Sequence, residues 1–156
     1  LFKGYAAKFK PSEVSGQPSL YYDRNEPFAQ KINFYDTYLP TDHITIPSYY
    51  VIPQSEWKTI EHLERNKIEM KRLQKDSLIS VNGYKIENFS TVKAPYEGHY
   101  LHFDTQVSSF TENIKFRKGD YLVSTKQNGV KYLLETLEPM ATDSFFNWNF
   151  YDAILG

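Results

Sequence analysis

Cysteine is absent from this chain of 156 residues, and its absence excludes disulfides, thiolate metal ligands and cysteine nucleophiles. The absence leaves the compartment open, because many exported bacterial proteins also lack cysteine. The net charge is small, at −1, so no basic surface for nucleic acid is indicated. No apolar run approaches the roughly 18 residues that cross a bilayer, and we expect no membrane span.

Catalytic motifs are missing too. The chain has no Gly-x-Ser-x-Gly elbow for a serine nucleophile and no Gly-x-x-x-x-Gly-Lys loop for phosphate. None of the four histidines is followed by glutamate at the third position, so the commonest zinc-peptidase spacings are absent. A carboxylate pair of the glycosidase kind stays open, because acids are plentiful and nothing singles out two of them.

Aromatic residues are what the chain has in excess, with 13 Tyr, 11 Phe and 2 Trp. They favour strands over helices. In the first third, prolines divide the chain into short extended pieces at 2–9, 20–22, 32–38 and 44–52. Prolines at this density argue against central strands, so we expect edge strands or arms that lie along a surface.

The segment 55–66 is the clearest predicted helix. Ser55 is a natural N-cap, and Asn66 tolerates the left-handed conformation that ends a helix. Trp57, Ile60 and Leu63 recur at helical spacing, while charged residues take the other face. We therefore expect these three apolar side chains, including the tryptophan, to lie in the core.

A second helix is predicted at 130–137, where apolar residues recur at i, i+3, i+4 and i+7. Asn128-Gly129 then leads from a strand into this helix, because a hairpin there would bring two lysines face to face. A last helix is predicted to begin at Asp143 or Ser144. It is apolar over so much of its surface that we expect cover on more than one side.

Asn82-Gly83 is the strongest hairpin signal, because this pair is typical of type I′ turns. The turn would pair four apolar residues on one face, Ile79 with Ile86 and Val81 with Tyr84. Further strands are predicted at 100–107, 114–116 and 121–125. Together the elements predict a mainly β fold with a few short helices (α+β), arranged as an antiparallel, β-sandwich-like sheet domain. We expect one domain over 1–156, in which 1 to about 53 forms an extended arm and edge strands.

The segment PYEGHYLHFD brings together four candidate metal ligands, Glu97, His99, His102 and Asp104. On a strand Glu97 and His99 point to one side and His102 to the other, so a metal site needs ligands from elsewhere. A free-standing metalloenzyme using these four is one hypothesis, and a surface or hydrogen-bonding role is the alternative. We expect the other two histidines, His43 and His62, to face solvent.

Aromatic side chains suggest a second kind of site, because exposed Trp and Tyr on a β-rich scaffold can stack on sugar rings. The candidate binding set is Tyr96, Glu97, His99, His102 and Trp148, with Tyr100 as a further aromatic. Core or interface packing is the alternative for Trp148.

The aromatic tail supplies the candidate docking residues, Phe145, Phe146, Trp148 and Phe150. So much aromatic surface must be buried against this domain's own core or against a surface outside the chain. We expect Phe145 and Phe146 to be mostly buried, and at least one aromatic of the tail to lie at the surface.

Several ordered motifs resemble the non-catalytic region that follows the peptidase domain in a group of bacterial zinc carboxypeptidases of the M14 type. They are YVIPQ at 50–54 with the helix after it, PYEGH at 95–99, GDYLV at 119–123, LEP at 137–139, DSFF at 143–146 and WN at 148–149. The resemblance runs from about residue 22 to the end. It implies a parent chain that removes C-terminal residues from peptides, or trims related amide bonds, with one zinc ion.

In that family a His-x-x-Glu and a later histidine bind zinc, and a glutamate acts as general base. No position here matches those motifs, so no catalytic residue carries over. The resemblance implies a non-catalytic accessory domain without a cofactor of its own, with zinc in the parent's peptidase domain. We expect a piece of a longer, exported protein, periplasmic or extracellular, whose partners are that peptidase domain and a peptide or cell-envelope polymer. The alternative is a carbohydrate- or peptidoglycan-binding β-sandwich module.

Overall fold

The computed structural model describes residues 1–39 and 43–155, and the chain divides into two compact units, Leu1–His43 and Ile44–Gly156. The first unit is an antiparallel hairpin of β1 (Phe2–Pro11) and β2 (Pro18–Gln30). Pro11 pairs with Pro18 at the loop end, and Pro27 lies opposite Tyr5, where the register shifts. The prolines thus occupy ends and irregularities of the pairing, as expected for residues that cannot donate to a ladder.

The second unit is built on a three-stranded antiparallel sheet, with β7 (Tyr121–Ser124) between β3 (Tyr49–Ile52) and β4 (Lys71–Arg72). The sequence predicted an extended arm and edge strands up to about residue 53, and β3 is an edge strand of this sheet, where it pairs with β7. Helices α1 (Trp57–Arg65) and α2 (Val130–Leu137) contribute to the same core. The core cluster consists of Ile52, Ile60, Leu63, Ile68, Tyr121, Val123, Leu133 and Phe145.

Helix α1 differs at both ends from its prediction. It begins at Trp57 after Glu56, and the expected Ser55 cap is wrong, because the Ser55 hydroxyl donates to the Glu56 carboxylate at 3.0 Å. At the other end Asn66 has a φ of −87°, and the left-handed residue is Lys67 with a φ of 59°. The left-handed residue that follows the helix therefore lies one position after Asn66, where it was predicted.

Strands β5 (Ser77–Thr91) and β6 (His102–Phe116) form a long two-stranded antiparallel ribbon. The predicted hairpin at Asn82-Gly83 is wrong, because β5 runs through this pair, with Asn82 opposite Thr111 and Gly83 opposite Phe110. A Cβ at position 83 would meet the Phe110 ring, so the glycine here admits an aromatic neighbour. The strands predicted at 100–107 and 114–116 belong to one strand, β6.

The type I′ turn lies instead at Glu97-Gly98, in the loop that joins β5 to β6. Both central residues have positive φ, 49° and 83°, which is what this turn requires. Tyr96 and His99 on either side exchange both backbone hydrogen bonds, each at 2.9 Å. A small bridge therefore closes the far end of the ribbon.

Helix α2 is confirmed at Val130–Leu137. Gly129 precedes it, and the Ile68 side chain occupies the space that a Cβ would need. The predicted tail helix from 143 or 144 is wrong, because that stretch is a series of turns and only α3 (Asp152–Leu155) is helical. Asn149 has a φ of 66°, and a left-handed residue interrupts an α-helix.

The predicted fold class is confirmed, since the structure is mainly antiparallel β with three short helices in the described residues. The segment 32–38, expected as an edge strand or an arm along a surface, does not pair as a strand and is exposed irregular chain. No helix within residues 1–39 and 43–155 has the length and apolarity needed to cross a membrane.

Candidate functional site

The type I′ turn holds part of the predicted binding set against the tail. The Trp148 ring lies 5.5 Å from the His99 ring and 6.5 Å from the Tyr96 ring, centroid to centroid. The Trp148 Nε1–H donates to Asp143 at 3.4 Å. Tyr96 is exposed, while His99 and Trp148 are half-buried. We call Tyr96, His99 and Trp148 the turn cluster.

His102 pairs with Thr91 where the ribbon meets this loop and, unlike the members of the turn cluster, is buried. Its Nδ1 is 2.9 Å from the Thr91 hydroxyl, and its Nε2 is 3.1 Å from Asp152 Oδ1. A carboxylate only accepts hydrogen bonds, so a hydrogen on Nε2 serves Asp152 and leaves Nδ1 to accept from Thr91. The Asn149 amide nitrogen lies 3.2 Å from the same Nε2 and, in this tautomer, directs its hydrogen bond to the Tyr100 carbonyl instead. The ring packs against Phe89 and Phe146, at 4.4 and 5.3 Å.

The four candidate metal ligands are not brought together. His102 is directed toward Asp152, whereas Glu97 and Asp104 are exposed and His99 packs on Trp148. The left-handed conformation of Asp104, with a φ of 53°, belongs to an irregular stretch of β6. Within the described residues no three His, Asp or Glu side chains are arranged to hold a metal ion. The hydrogen-bonding role therefore fits His102 better than metal binding does.

The other two histidines have different surroundings. His43 is exposed, as expected. His62 is half-buried and lies against Phe145 and Phe150, with ring centroids at 5.9 and 5.1 Å. The solvated position expected for His62 is wrong, because the aromatic tail packs on this side of α1.

The tail aromatics are mostly core residues. Phe145 and Phe146 are each only 4% exposed, so the choice between core and docking surface is decided for them in favour of the core. Trp148 and Phe150 are half-buried, and the exposed apolar residues at this end are Met140, Ile154 and Leu155.

Glu138, from the LEP motif, is a buried carboxylate with 3% exposure. Its Oε1 accepts from the Tyr50 hydroxyl, and its Oε2 has no hydrogen-bond partner. Burial, and next the bond to Glu138, raise the pKa of Tyr50. Burial also raises the pKa of Tyr84 on the ribbon, and Glu138 adds to that shift. This carboxylate therefore stabilises the neutral form of two tyrosines from different sheets.

A concave surface lies beside α1. This cleft has a volume of about 380 Å³. Trp57, expected in the core, is 62% exposed and lines it. The Arg72 guanidinium packs over the Tyr121 ring, 4.5 Å from its centroid, and donates to the Tyr121 hydroxyl. The polar members of the lining are Gln54, Glu61, Glu64, Arg72 and Tyr121.

The prediction for Trp57 failed for a reason visible in the helical phase. The buried residues of α1 are Thr59, Ile60 and Leu63, and successive residues are rotated by about 100°. Around the helix these three residues follow one another in the order Thr59, Leu63, Ile60. Trp57 comes next after Ile60, at the border of this buried stripe. The signal was the small polar Thr59, which shares the face of Leu63 at the i, i+4 spacing.

The first unit carries an uncovered apolar face. Pairing places Tyr5, Ala7, Phe9, Leu20 and Tyr22 on one side of the hairpin, and all five are exposed. We call these five residues the hairpin face.

The opposite side of the hairpin is polar. Lys8 forms an ion pair with Asp23 at 2.9 Å and a second one with Glu26. The hydrogen bonds to Glu26 and Asp23 raise the pKa of Lys8. These ion pairs lie on the side away from the hairpin face, and Lys3, two residues before Tyr5 in β1, borders that face.

Comparisons of this chain with family models, with curated protein sequences and with solved structures find no match.

Proposed function

We propose that this chain is a non-catalytic accessory domain of a bacterial zinc carboxypeptidase-like protein of the M14 type, docked on the peptidase domain of the same parent chain. The hairpin face carries the docking part of this proposal, because it gathers three aromatic side chains and a leucine on one exposed side, and the largest apolar patch of a domain is often an interaction site. The ordered motifs support the family: in the fold, GDYLV forms a turn and β7, and LEP ends α2.

The size of the hairpin face favours a tethered partner. Two paired strands of about ten residues present a face about 33 Å long and 10 Å wide. That area, on the order of 300–400 Å², is below the roughly 800 Å² that each partner buries in a standard interface. A partner in the same polypeptide compensates, because tethering raises its effective concentration.

Two neighbouring residues of β2 provide a matched test of docking. Leu20 lies in the hairpin face, and Ser19 points to the other side. We expect the hairpin signals to shift when the labelled chain is titrated by NMR with the parent's peptidase domain. Leu20→Asp should weaken this association at least about tenfold, and Ser19→Asp should leave it unchanged. Equal effects of both variants, or unchanged hairpin signals, would contradict the docking proposal.

The non-catalytic part has a separate test. The chain alone, supplied with zinc and a panel of peptides, should release no C-terminal residues. Cleavage that a chelator abolishes would show that the chain carries its own site.

The second candidate function is carbohydrate or peptidoglycan binding, which the turn cluster favours because it places an exposed tyrosine beside a half-exposed tryptophan. Trp148→Ala should then reduce retention of the chain on insoluble peptidoglycan, while Tyr49→Ala, at an exposed aromatic elsewhere, should not. Retention that does not depend on Trp148 would remove this role from the turn cluster.

A further inference from the structure

We propose that the cleft beside α1 binds a neutral carbohydrate, with the Trp57 ring as its stacking platform. This site is distinct from the turn cluster and does not depend on docking. Its volume of about 380 Å³ lies in the range of about 300–1,000 Å³ that is typical of small-ligand sites.

The platform is an aromatic ring that the fold leaves uncovered. Trp57 is the first residue of α1, and Lys58 approaches its ring with Nζ 5.8 Å from the centroid. The tryptophan nevertheless keeps 62% of its surface exposed. A sugar ring has one face of C–H groups, which an exposed indole can cover, and removing both from water is favourable.

The rim of the cleft provides both hydrogen-bond donors and hydrogen-bond acceptors. A guanidinium has five N–H groups, and Arg72 directs one to the Tyr121 hydroxyl and one, at 3.5 Å, to the Gly119 carbonyl. Three N–H groups remain for a ligand. On α1, Glu64 offers carboxylate oxygens and has no ion-pair partner among the described residues. A sugar hydroxyl both donates and accepts, so it can bond to either side.

The charge of the lining selects a neutral ligand. Glu61 is paired with Arg65 at 2.7 Å, which leaves Arg72 and Glu64 as opposite charges in the lining, while the Lys58 ammonium lies outside the lining, 5.8 Å from the Trp57 ring centroid. An anionic ligand attracted by Arg72 would be repelled by Glu64. A cationic ligand attracted by Glu64 would be repelled by Arg72. Polyhydroxyl compounds without charge satisfy both side chains at no such cost.

The two tryptophans of the chain make the proposal directly testable. Trp148→Phe leaves Trp57 as the single indole reporter, and Trp57→Phe leaves Trp148. We expect the emission of the Trp148→Phe protein to change with a millimolar neutral tetramer, either the N-acetylglucosamine tetramer or cellotetraose, and that of the Trp57→Phe protein to stay constant. Trp57→Ala should weaken binding, measured by ligand-observed NMR, at least about tenfold.

Charged analogues and Glu64→Gln test the chemistry of the ligand. The glucosamine tetramer, which is cationic, and tetragalacturonate, which is anionic, should each bind at least about tenfold more weakly than the neutral tetramers. Glu64→Gln keeps an acceptor, so it should change neutral binding by less than about threefold. Preferential binding of either charged tetramer, a response only from Trp148, or no response to either neutral tetramer would overturn the proposal. A failure here would leave the docking test with Leu20→Asp unaffected.

Discussion

At the residue scale, the most informative side chain is His102, which looks like a metal ligand in the sequence and is a structural residue in the fold. It joins three parts of the second unit, through Thr91 on β5, its own place at the start of β6, and Asp152 at the start of α3. Its backbone N–H also donates to the Asn147 carbonyl at 2.9 Å. A buried polar side chain with this many partners contributes to packing and to hydrogen bonding together.

His102→Ala should therefore lower the free energy of unfolding by about 2 kcal/mol or more, the range of large-to-small changes in cores. Urea unfolding, monitored by tryptophan emission, measures this loss. His43→Ala is the matched control, because His43 is exposed, and it should stay within about 0.5 kcal/mol of the parent protein. Equal stability of the two variants would contradict the structural role of His102.

Residue patterns predicted burial well where the side chain was central to its stripe, and poorly at stripe borders. Ile60 and Leu63 are buried as expected. Trp57 is not buried, because α1 begins with this residue and the turn of the helix places its side chain at the edge of the covered face. A single sequence gives the phase of a helix, while the width of the surface that covers it depends on distant residues.

At the element scale, the ribbon of β5 and β6 shows a local turn preference that tertiary packing overrides. Asn82-Gly83 has the right residues for a type I′ turn, yet the ring of Phe110 uses the space above Gly83, and the Thr111 hydroxyl donates to Asn82 at 2.8 Å. Pairing along two strands of fifteen residues, regular from Ser77 to Ile86 and irregular beyond it, aligns more residues than a short hairpin would. Glu97-Gly98 takes the turn instead.

Engineered cysteines can distinguish these two pairings cleanly, because the chain has no cysteine of its own. Val81 lies opposite Glu112 in the ribbon, so Val81→Cys combined with Glu112→Cys should form a disulfide readily under mild oxidation. Facing Cβ atoms in antiparallel pairs are about 4.5–5.5 Å apart, close to disulfide geometry.

Val81→Cys combined with Tyr84→Cys is the control pair, since these residues would face each other only if Asn82-Gly83 formed the turn. Mass spectrometry should find little intramolecular disulfide in that variant. The opposite result, with efficient closure of the second pair alone, would restore the short hairpin.

At the scale of the whole molecule, partly buried tyrosines couple the stability of the second unit to alkaline pH. Burial raises the pKa of Tyr50, Tyr84, Tyr132 and Tyr151 above the ordinary value of 10.0. The folded state then holds protons that the unfolded chain releases, so stability is complete below about pH 10 and declines as pH rises further. The loss of stability that comes from these tyrosines is therefore confined to alkaline pH.

Urea midpoints at about pH 8 and about pH 11 should show this decline. Tyr50→Phe removes one of the raised groups and should show a smaller decline between the two pH values, although it is less stable at pH 8, because the buried Glu138 carboxylate then loses the hydrogen bond from the Tyr50 hydroxyl. Tyr49→Phe, at an exposed neighbour, should decline as the parent protein does. An unchanged decline in Tyr50→Phe would show that this tyrosine does not contribute.

The sequence by itself determined the mainly β class, helix α2 and the buried Phe145-Phe146 pair. These follow from periodicity and residue type, which act over a few neighbouring positions. Only the tertiary structure decided that Asn82-Gly83 is strand, that the tail is turns, that His102 is buried and that Trp57 lines a cleft. Each of those outcomes depends on a contact with a residue far away in the chain, such as Phe110 or Asp152, and such contacts leave no periodic trace in a single sequence.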